Sequence, residues 1–329
     1  MTPPRPQSNQ KREGKAASLV PPPSSLMPYS AIVGQAQVRL ALELCFVEPS
    51  IGGVLLSGER GTGKTTTVRA FARMALERPL VNLPINATED RVVGGWSIQS
   101  LFEDNQPRHQ PGLLEDADKG LLYVDEVNLL DDHIVNIILD VTSTGFLAVQ
   151  REGLDRKVDL RFVLVGTMNP EEGMLRPQLL DRFGLMVTVR AESEVASRVK
   201  ILEQVLGMED PHRRAARELE DEAKRKQLHA ARAALPKVRL SSERMRECVN
   251  VARALQVEGH RGDLVMALAA RALAAIEGRE VVEVKDVQRV APLALAHRRK
   301  PGAQREAAPW GEVDESLVAK ALALVRPAE

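Results

Sequence analysis

The sequence predicts an α/β domain built on a parallel sheet with helices on both faces, followed by a separate all-α domain. Three observations carry that prediction. The run GVLLSGERGTGKT (53–65) is an apolar strand, a glycine-rich turn and a helix start in immediate succession. Short apolar strands (GVLLS, VNLPIN, GLLYVDE and RFVLVGTMN) are separated by helical stretches, the pattern of a parallel α/β sheet. After LMVTV (185–189), strand signals almost vanish and helical runs take over.

Each element follows from its residues. Positions 1–28, rich in Pro, Ser, Lys and Gln and ending in VPPPSSLMP, bury little apolar surface and read as a disordered leader. From Tyr29 the pattern changes, and QAQVRLALELCFV (35–47) carries apolar residues at helical spacing. The helix TTTVRAFARMALE follows the glycine-rich turn, and the strand VNLPIN follows that. Residues 92–120 interrupt the rhythm with glycines, prolines and a polar centre, and read as a helix broken by an inserted loop. Alternation on either side of EGLD predicts a β-hairpin within 146–165. The nucleotide-type α/β domain is placed at 29–190 and the helical domain at 191–329, with a flexible tail after about residue 300. That tail still contains a short helical pattern, ESLVAKALALV (315–325).

Composition narrows the function. Lys plus Arg and Asp plus Glu both total 45, so no net field draws in nucleic acid. Aromatic residues are only 3%, leaving few platforms for stacked bases. Cys45 and Cys248 have no metal-type spacing and read as buried free thiols. The six histidines (His109, His133, His212, His229, His260 and His297) are scattered and show no ligand spacing. No apolar run approaches the roughly 18 residues of a membrane span, and the N-terminus lacks a signal-peptide core. A cytoplasmic protein is expected.

The chemistry concentrates at four places. GERGTGKT (58–65) matches G-x-x-x-x-G-K-[ST], with a strand before and a helix after. Gly58, Glu59, Arg60, Gly61, Thr62 and Gly63 form a loop whose N–H groups face phosphate oxygens, with Thr66 beside them in the first helical turn. Lys64 is expected to reach the β- and γ-phosphates of ATP and the Thr65 hydroxyl to hold Mg2+. The bland alternative is a glycine-rich turn followed by a chance Lys-Thr. At the end of GLLYVDE, Asp125 is expected to order the Mg2+ shell and Glu126 to polarise the attacking water, which makes the chain a hydrolase. Asn169 ends the next strand, where an amide can hold the water or γ-phosphate, or serve only as a turn residue before Pro170. Arg176 and Arg182, in LRPQLLDRFG, are either solvated surface charges or fingers reaching a neighbouring subunit's γ-phosphate, and spacing does not choose between these.

These parts together resemble the AAA+ ATPases. The similarity extends to the magnesium-chelatase I-subunit family through IVGQ (32–35), EDRVVGG, QPGLLEDADKGLLYVDEVNLLDDHIVNIILD, QREG, GTMNPEEGMLRPQLLDRFG and GHRGDLVMALAARALAAIEG. It runs from about Tyr29 to Arg299, and its most specific parts are YVDEVNLLDDH and NPEEGMLRPQLLDRFG. The resemblance implies a helix-2 insert at 92–120, an extra β-hairpin at 146–160, and homo-oligomeric rings, hexameric in expectation, with ATP sites between subunits. It puts Asn169 in the sensor-1 place and Arg182 in the arginine-finger place, with Arg176 a second contributor in trans. Arg261 takes the sensor-2 place, touching phosphate in cis, and Ile32 and Val33 pack near the adenine. Without the resemblance, Arg261 reads as a helix-start Arg paired with Asp263.

The insert GGWSIQSLFEDNQPRH departs from the more regular amphipathic helix usual in the family, and GFLAVQREG has drifted in the hairpin. The leader and the tail after Lys300 have no counterpart there. The implied function is the ATP-hydrolysing motor of magnesium chelatase. Its partners are an AAA+-like subunit with a von Willebrand A domain and a large subunit carrying protoporphyrin IX. The alternative is a MoxR-like chaperone ATPase working with another von Willebrand A partner. A DNA-processing motor is disfavoured by the neutral charge and scarce aromatics.

Overall fold

A computed structural model describes residues 26–76, 78, 80–97, 108–151, 154–299 and 310–324. The described residues contain nine strands: β1 (Val54–Ser57), β2 (Leu80–Leu83), β3 (Gly94–Ser97), β4 (Arg108–Pro111), β5 (Leu121–Val124), β6 (Phe146–Arg151), β7 (Leu154–Asp159), β8 (Val163–Met168) and β9 (Leu185–Thr188). Five of them form one sheet in the order β2-β5-β8-β1-β9, and every pairing in it is parallel.

The three inner strands are buried along their whole length, which explains why they read as unbroken apolar runs. Alternate residues go to opposite faces. Val54, Leu56, Tyr123 and Val165 join the core beneath the helices Ala36–Val47 and Lys64–Ala75. Leu55, Leu122 and Leu164 join the core that includes Ile138 and Phe183. The first of these cores continues without a break into the helical domain, taking in Leu228, Val251, Met266, Leu273, Val290 and Leu295.

Register aligns the carboxyl ends of the strands. Ser57 lies opposite Met168, and Val124 opposite Gly166, so the turns after β1, β5 and β8 open on one edge of the sheet. In parallel α/β sheets this is the edge that holds ligands.

The helix broken by an insert is present: Glu89–Val93 stops at Gly94, β3 pairs antiparallel with β4, and helix resumes at Leu113–Asp116, so the insert itself is a β-ribbon. Gly94 takes φ +86, and a Cβ on Gly112 would lie 2.3 Å from the Gly94 nitrogen. Glycines therefore let two backbones close into a ribbon where a helix would otherwise continue. Residues 98–107 lie outside the described set. The tail expected to be flexible after about residue 300 contains the helix Glu312–Ala323, which buries Val318, Ala321 and Leu322 against the helical domain. Residues 300–309 and 325–329 lie outside the described set, as do 1–25 of the expected leader.

The hairpin is formed as expected, β6 pairing antiparallel with β7 from Phe146–Asp159 to Arg151–Leu154. The helical domain comprises Val195–Gly207, Pro211–Ala234, Ser242–Ala254, Arg261–Ile276, Val284–Leu295 and the last helix. Cys45 and Cys248 are both buried and free, and burial raises both thiol pKa values, that of Cys248 to about 12. Among the described residues no helix is long and apolar enough to cross a membrane.

Candidate nucleotide site

The glycine-rich loop leaves β1 and caps the helix Lys64–Ala75. Gly61 and Gly63 take φ +77 and +82, the left-handed region that glycine occupies without strain. A Cβ on Gly58 would sit 2.1 Å from the Val189 carbonyl oxygen, so the loop can begin only at a glycine. The Gly58 N–H donates to the Met168 carbonyl (3.1 Å), tying the loop to the end of β8. Gln35 braces it from outside: its Nε2 donates to the Thr62 carbonyl (2.6 Å), while its Oε1 accepts from the Thr67 hydroxyl (2.6 Å). Gln35 closes the IVGQ stretch, and its bracing role shows only in the fold.

Lys64 Nζ donates to the carbonyls of Gly58 (2.5 Å) and Glu59 (2.7 Å) at the mouth of the loop. Burial lowers the Lys64 pKa, opposed by the carboxylates of Asp125, Glu126, Glu172 and Glu59. An ammonium among four carboxylates at the mouth of a glycine-turned loop suits a polyphosphate bound with a divalent cation.

The Thr65 and Asp125 oxygens are joined through a third residue. The Thr65 hydroxyl lies 2.9 Å from the Tyr123 hydroxyl, which donates to Asp125 Oδ1 at 2.9 Å. The Thr167 hydroxyl donates to the same oxygen (2.5 Å) and accepts the Glu126 N–H (3.1 Å). Burial, above all, raises the Tyr123 pKa to about 12, so its hydroxyl stays protonated as a donor. A hydroxyl and a carboxylate at this point are hard oxygen ligands, the kind that suits Mg2+ bound mainly through nucleotide phosphates and water. The donor set fits the ion.

Glu126 leaves the strand in a left-handed conformation, φ +54, unusual for a residue with a side chain. Its carboxylate meets Arg60 of the loop at 3.2 Å, and Arg60 also pairs with Glu172. Asn169 is 5% exposed and follows Met168, which places it level with Gly58. Its Oδ1 accepts from the Glu171 N–H (3.3 Å), so the turn role is present. A cleft beside the loop is lined by Gln35–Val38, Val187–Arg190 and Glu192. Ile32 and Val33 precede this lining, separated from Gln35 by Gly34, and Ile32 packs against the core.

The three arginines stand elsewhere. Arg176 pairs with Asp132 (2.7 Å) and is largely exposed. Arg182, at the end of the helix Pro177–Arg182, pairs with Asp140 (2.6 Å). Arg261 does not pair with Asp263, whose carboxylate faces His260 at 3.7 Å. Arg261 Nη2 donates instead to the Arg182 carbonyl (2.7 Å) and lies 3.8 Å from where a Cβ on Gly52 would stand. Gly52 lies at the amino end of β1 and the loop at its carboxyl end, about 13 Å apart for the four residues of β1 at strand spacing. The structure therefore places Arg261 with Arg182 at the amino edge of β1 and does not bring it beside the loop.

Fold and site define a AAA ATPase. Residues 53–183 match the AAA domain of the dynein-related subfamily and residues 245–325 match the AAA lid domain. The chain is 41% identical to the magnesium-chelatase 38 kDa subunit of Cereibacter sphaeroides, covering 88% of this chain and 97% of that one. It is 41% identical to magnesium-chelatase subunit ChlI of Synechocystis, covering 83% and 88%. An uncharacterised Mycobacterium tuberculosis protein is 47% identical over 83% of this chain, which spans only 45% of that longer protein. A structure of the complex between magnesium-chelatase subunits BchI and BchD, based on cryo-EM, contains a chain that matches with a TM-score of 0.51 and 40% identity, covering 86% of this chain and 98% of that one. The chain belongs to the magnesium-chelatase I-subunit family.

Proposed function

We propose that this chain is the ATP-hydrolysing motor of a magnesium chelatase, driving Mg2+ insertion into protoporphyrin IX carried by a large partner subunit. The observation that carries the reading is the convergence of Lys64, Thr65, Asp125, Glu126 and Asn169 on one edge of the sheet in a chain of this family. Lys64 and the loop N–H groups bind the phosphates. Thr65 and Asp125 would hold the nucleotide's Mg2+, which would supply charge neutralisation on the phosphate oxygens. Glu126 accepts a proton from the attacking water once Arg60 no longer engages its carboxylate, and Asn169 orients that water. Arg182, far from its own loop, serves the site of the next subunit in a cytoplasmic homo-oligomeric ring, taken as hexameric. A second AAA+-like subunit with a von Willebrand A domain couples the ring to the porphyrin carrier.

A second reading is a MoxR-like chaperone ATPase. Two observations favour it: the insert is a β-ribbon over β3 and β4, and a close relative is a longer protein of uncharacterised function. The test uses Glu126→Gln protein loaded with ATP and Mg2+ as bait in the native host's lysate. Recovery of a porphyrin-binding subunit together with a von Willebrand A protein supports the chelatase. Recovery of a von Willebrand A protein with an unrelated client supports the chaperone.

A further inference from the structure

The helix Pro177–Arg182 ends in a segment held almost entirely by the helical domain. Four consecutive carbonyls, those of Asp181, Arg182, Phe183 and Gly184, accept hydrogen bonds from three of its side chains. Arg298 Nη2 donates to Asp181 O (2.6 Å) and Phe183 O (2.6 Å), and its Nη1 to Gly184 O (2.8 Å). Arg261 takes the Arg182 carbonyl, and His297 Nε2 takes Phe183 O at 3.1 Å. A helix end normally leaves such carbonyls to water or to its own following turn.

Arg298 is the centre of this arrangement. Its side chain is 1% exposed. Its remaining donors go to Asp181 Oδ1 (Nε, 3.0 Å) and to the Ala294 carbonyl in its own helical run (Nη1, 2.5 Å). A guanidinium has five N–H donors, and all are engaged. Burying an arginine is costly unless every donor is satisfied, so the position of this side chain is defined by the carbonyls it grips. Those carbonyls flank the Cα of Arg182. The Arg182 side chain itself is 35% exposed and, among the described residues, is held by Asp140.

We propose that Arg298 is a positioning residue for Arg182: through one buried guanidinium, the helical domain of each subunit sets where its arginine finger stands against the neighbour's nucleotide. The inference rests on Arg182 acting in trans. Movement of the helical domain in one subunit then alters hydrolysis in the next, with no change in the nucleotide contacts of its own loop.

The test compares Arg298→Lys, which keeps the charge but offers three donors, with Arg182→Ala and the double variant, after ring assembly and melting temperature have been checked. Arg298→Lys is expected to lower kcat by about 10- to 100-fold, the usual effect of a misplaced catalytic group. The Kd for a fluorescent ATP analogue should stay within about twofold, because the loop is untouched. Mixed into wild-type protein, Arg298→Lys should depress activity below simple dilution, and the double variant should be no slower than Arg182→Ala. If the two losses multiply, or if Arg298→Lys dilutes linearly while Arg182→Ala poisons, the positioning role is wrong. A linear curve for Arg182→Ala overturns the trans reading itself and the inference with it. Should Arg298→Lys fail to fold, Asp181→Ala removes the partner of Nε while leaving the carbonyl contacts. It is expected to show the same kinetic split in smaller degree, and wild-type kcat in that variant would count against the proposal.

Discussion

The Tyr123 hydroxyl donates to the Asp125 carboxylate at 2.9 Å and lies at the same distance from the hydroxyl of Thr65. One phenol thus spaces the two side chains proposed to serve a nucleotide-bound cation. Groups that orient metal ligands commonly contribute 10- to 100-fold in metal affinity. Tyr123→Phe is therefore expected to raise the Mg2+ concentration needed for half-maximal binding of an ATP analogue by about tenfold. Affinity at saturating Mg2+ should change little. An unaltered Mg2+ titration would show that Thr65 and Asp125 hold their places without the phenol.

The catalytic assignment separates binding from turnover. Lys64→Ala is expected to abolish ATP binding, because the loop loses the Lys64 ammonium at its mouth. Glu126→Gln should retain binding and slow hydrolysis by about 100-fold or more, the range for loss of a positioned general base. Equilibrium binding and single-turnover hydrolysis measure the two effects independently. Normal turnover by the Glu126→Gln protein would remove Glu126 from the mechanism.

His297 gives the domain junction a pH dependence. Burial holds its imidazole well below the usual pKa, and the positive charges of Arg298 and Arg261 act in the same direction. As pH falls below about 6.5, the unfolded chain takes up a proton that the folded chain refuses. Stability attributable to this residue is present above that pH and is lost on acidification, by up to about 1.4 kcal/mol per pH unit until the folded value is reached. Urea unfolding at pH 7.5, 6.5 and 5.5 should show a shallower loss for His297→Asn than for the wild type. Parallel slopes would place the acid sensitivity elsewhere.

Much of this fold was legible in the sequence because the inner strands are buried on both faces. Val54–Ser57, Leu121–Val124 and Val163–Met168 are apolar runs with no exposed side to confuse the pattern. The nucleotide loop was legible because its backbone demands glycine at named places. The insert's position was legible but its ribbon form was not, because Gly94 and Gly95 look alike in a loop and in a ribbon, and only the approach of Gly112 decides between them. Tyr123 and Thr167 were missed as site residues because each sits in a strand that reads as core. Tyr123 stands two residues before Asp125 on the same strand face, a spacing that could have pointed to it. The position of Arg261 was not legible at all. It depends on which edge of the sheet the helical domain grips, and that is decided by Arg298 and His297 meeting carbonyls more than 110 residues away in sequence.

The central claim, that hydrolysis here drives metal insertion on a partner, is tested most directly by reconstitution. This chain would be combined with the host's von Willebrand A subunit and porphyrin-binding subunit, protoporphyrin IX, Mg2+ and ATP. Formation of the Mg2+ porphyrin would be followed by its fluorescence, beside a parallel reaction containing Glu126→Gln. The account predicts product with the wild-type chain and none with Glu126→Gln. Vigorous ATP hydrolysis by the wild-type chain in the complete mixture, without any Mg2+ porphyrin, would contradict it.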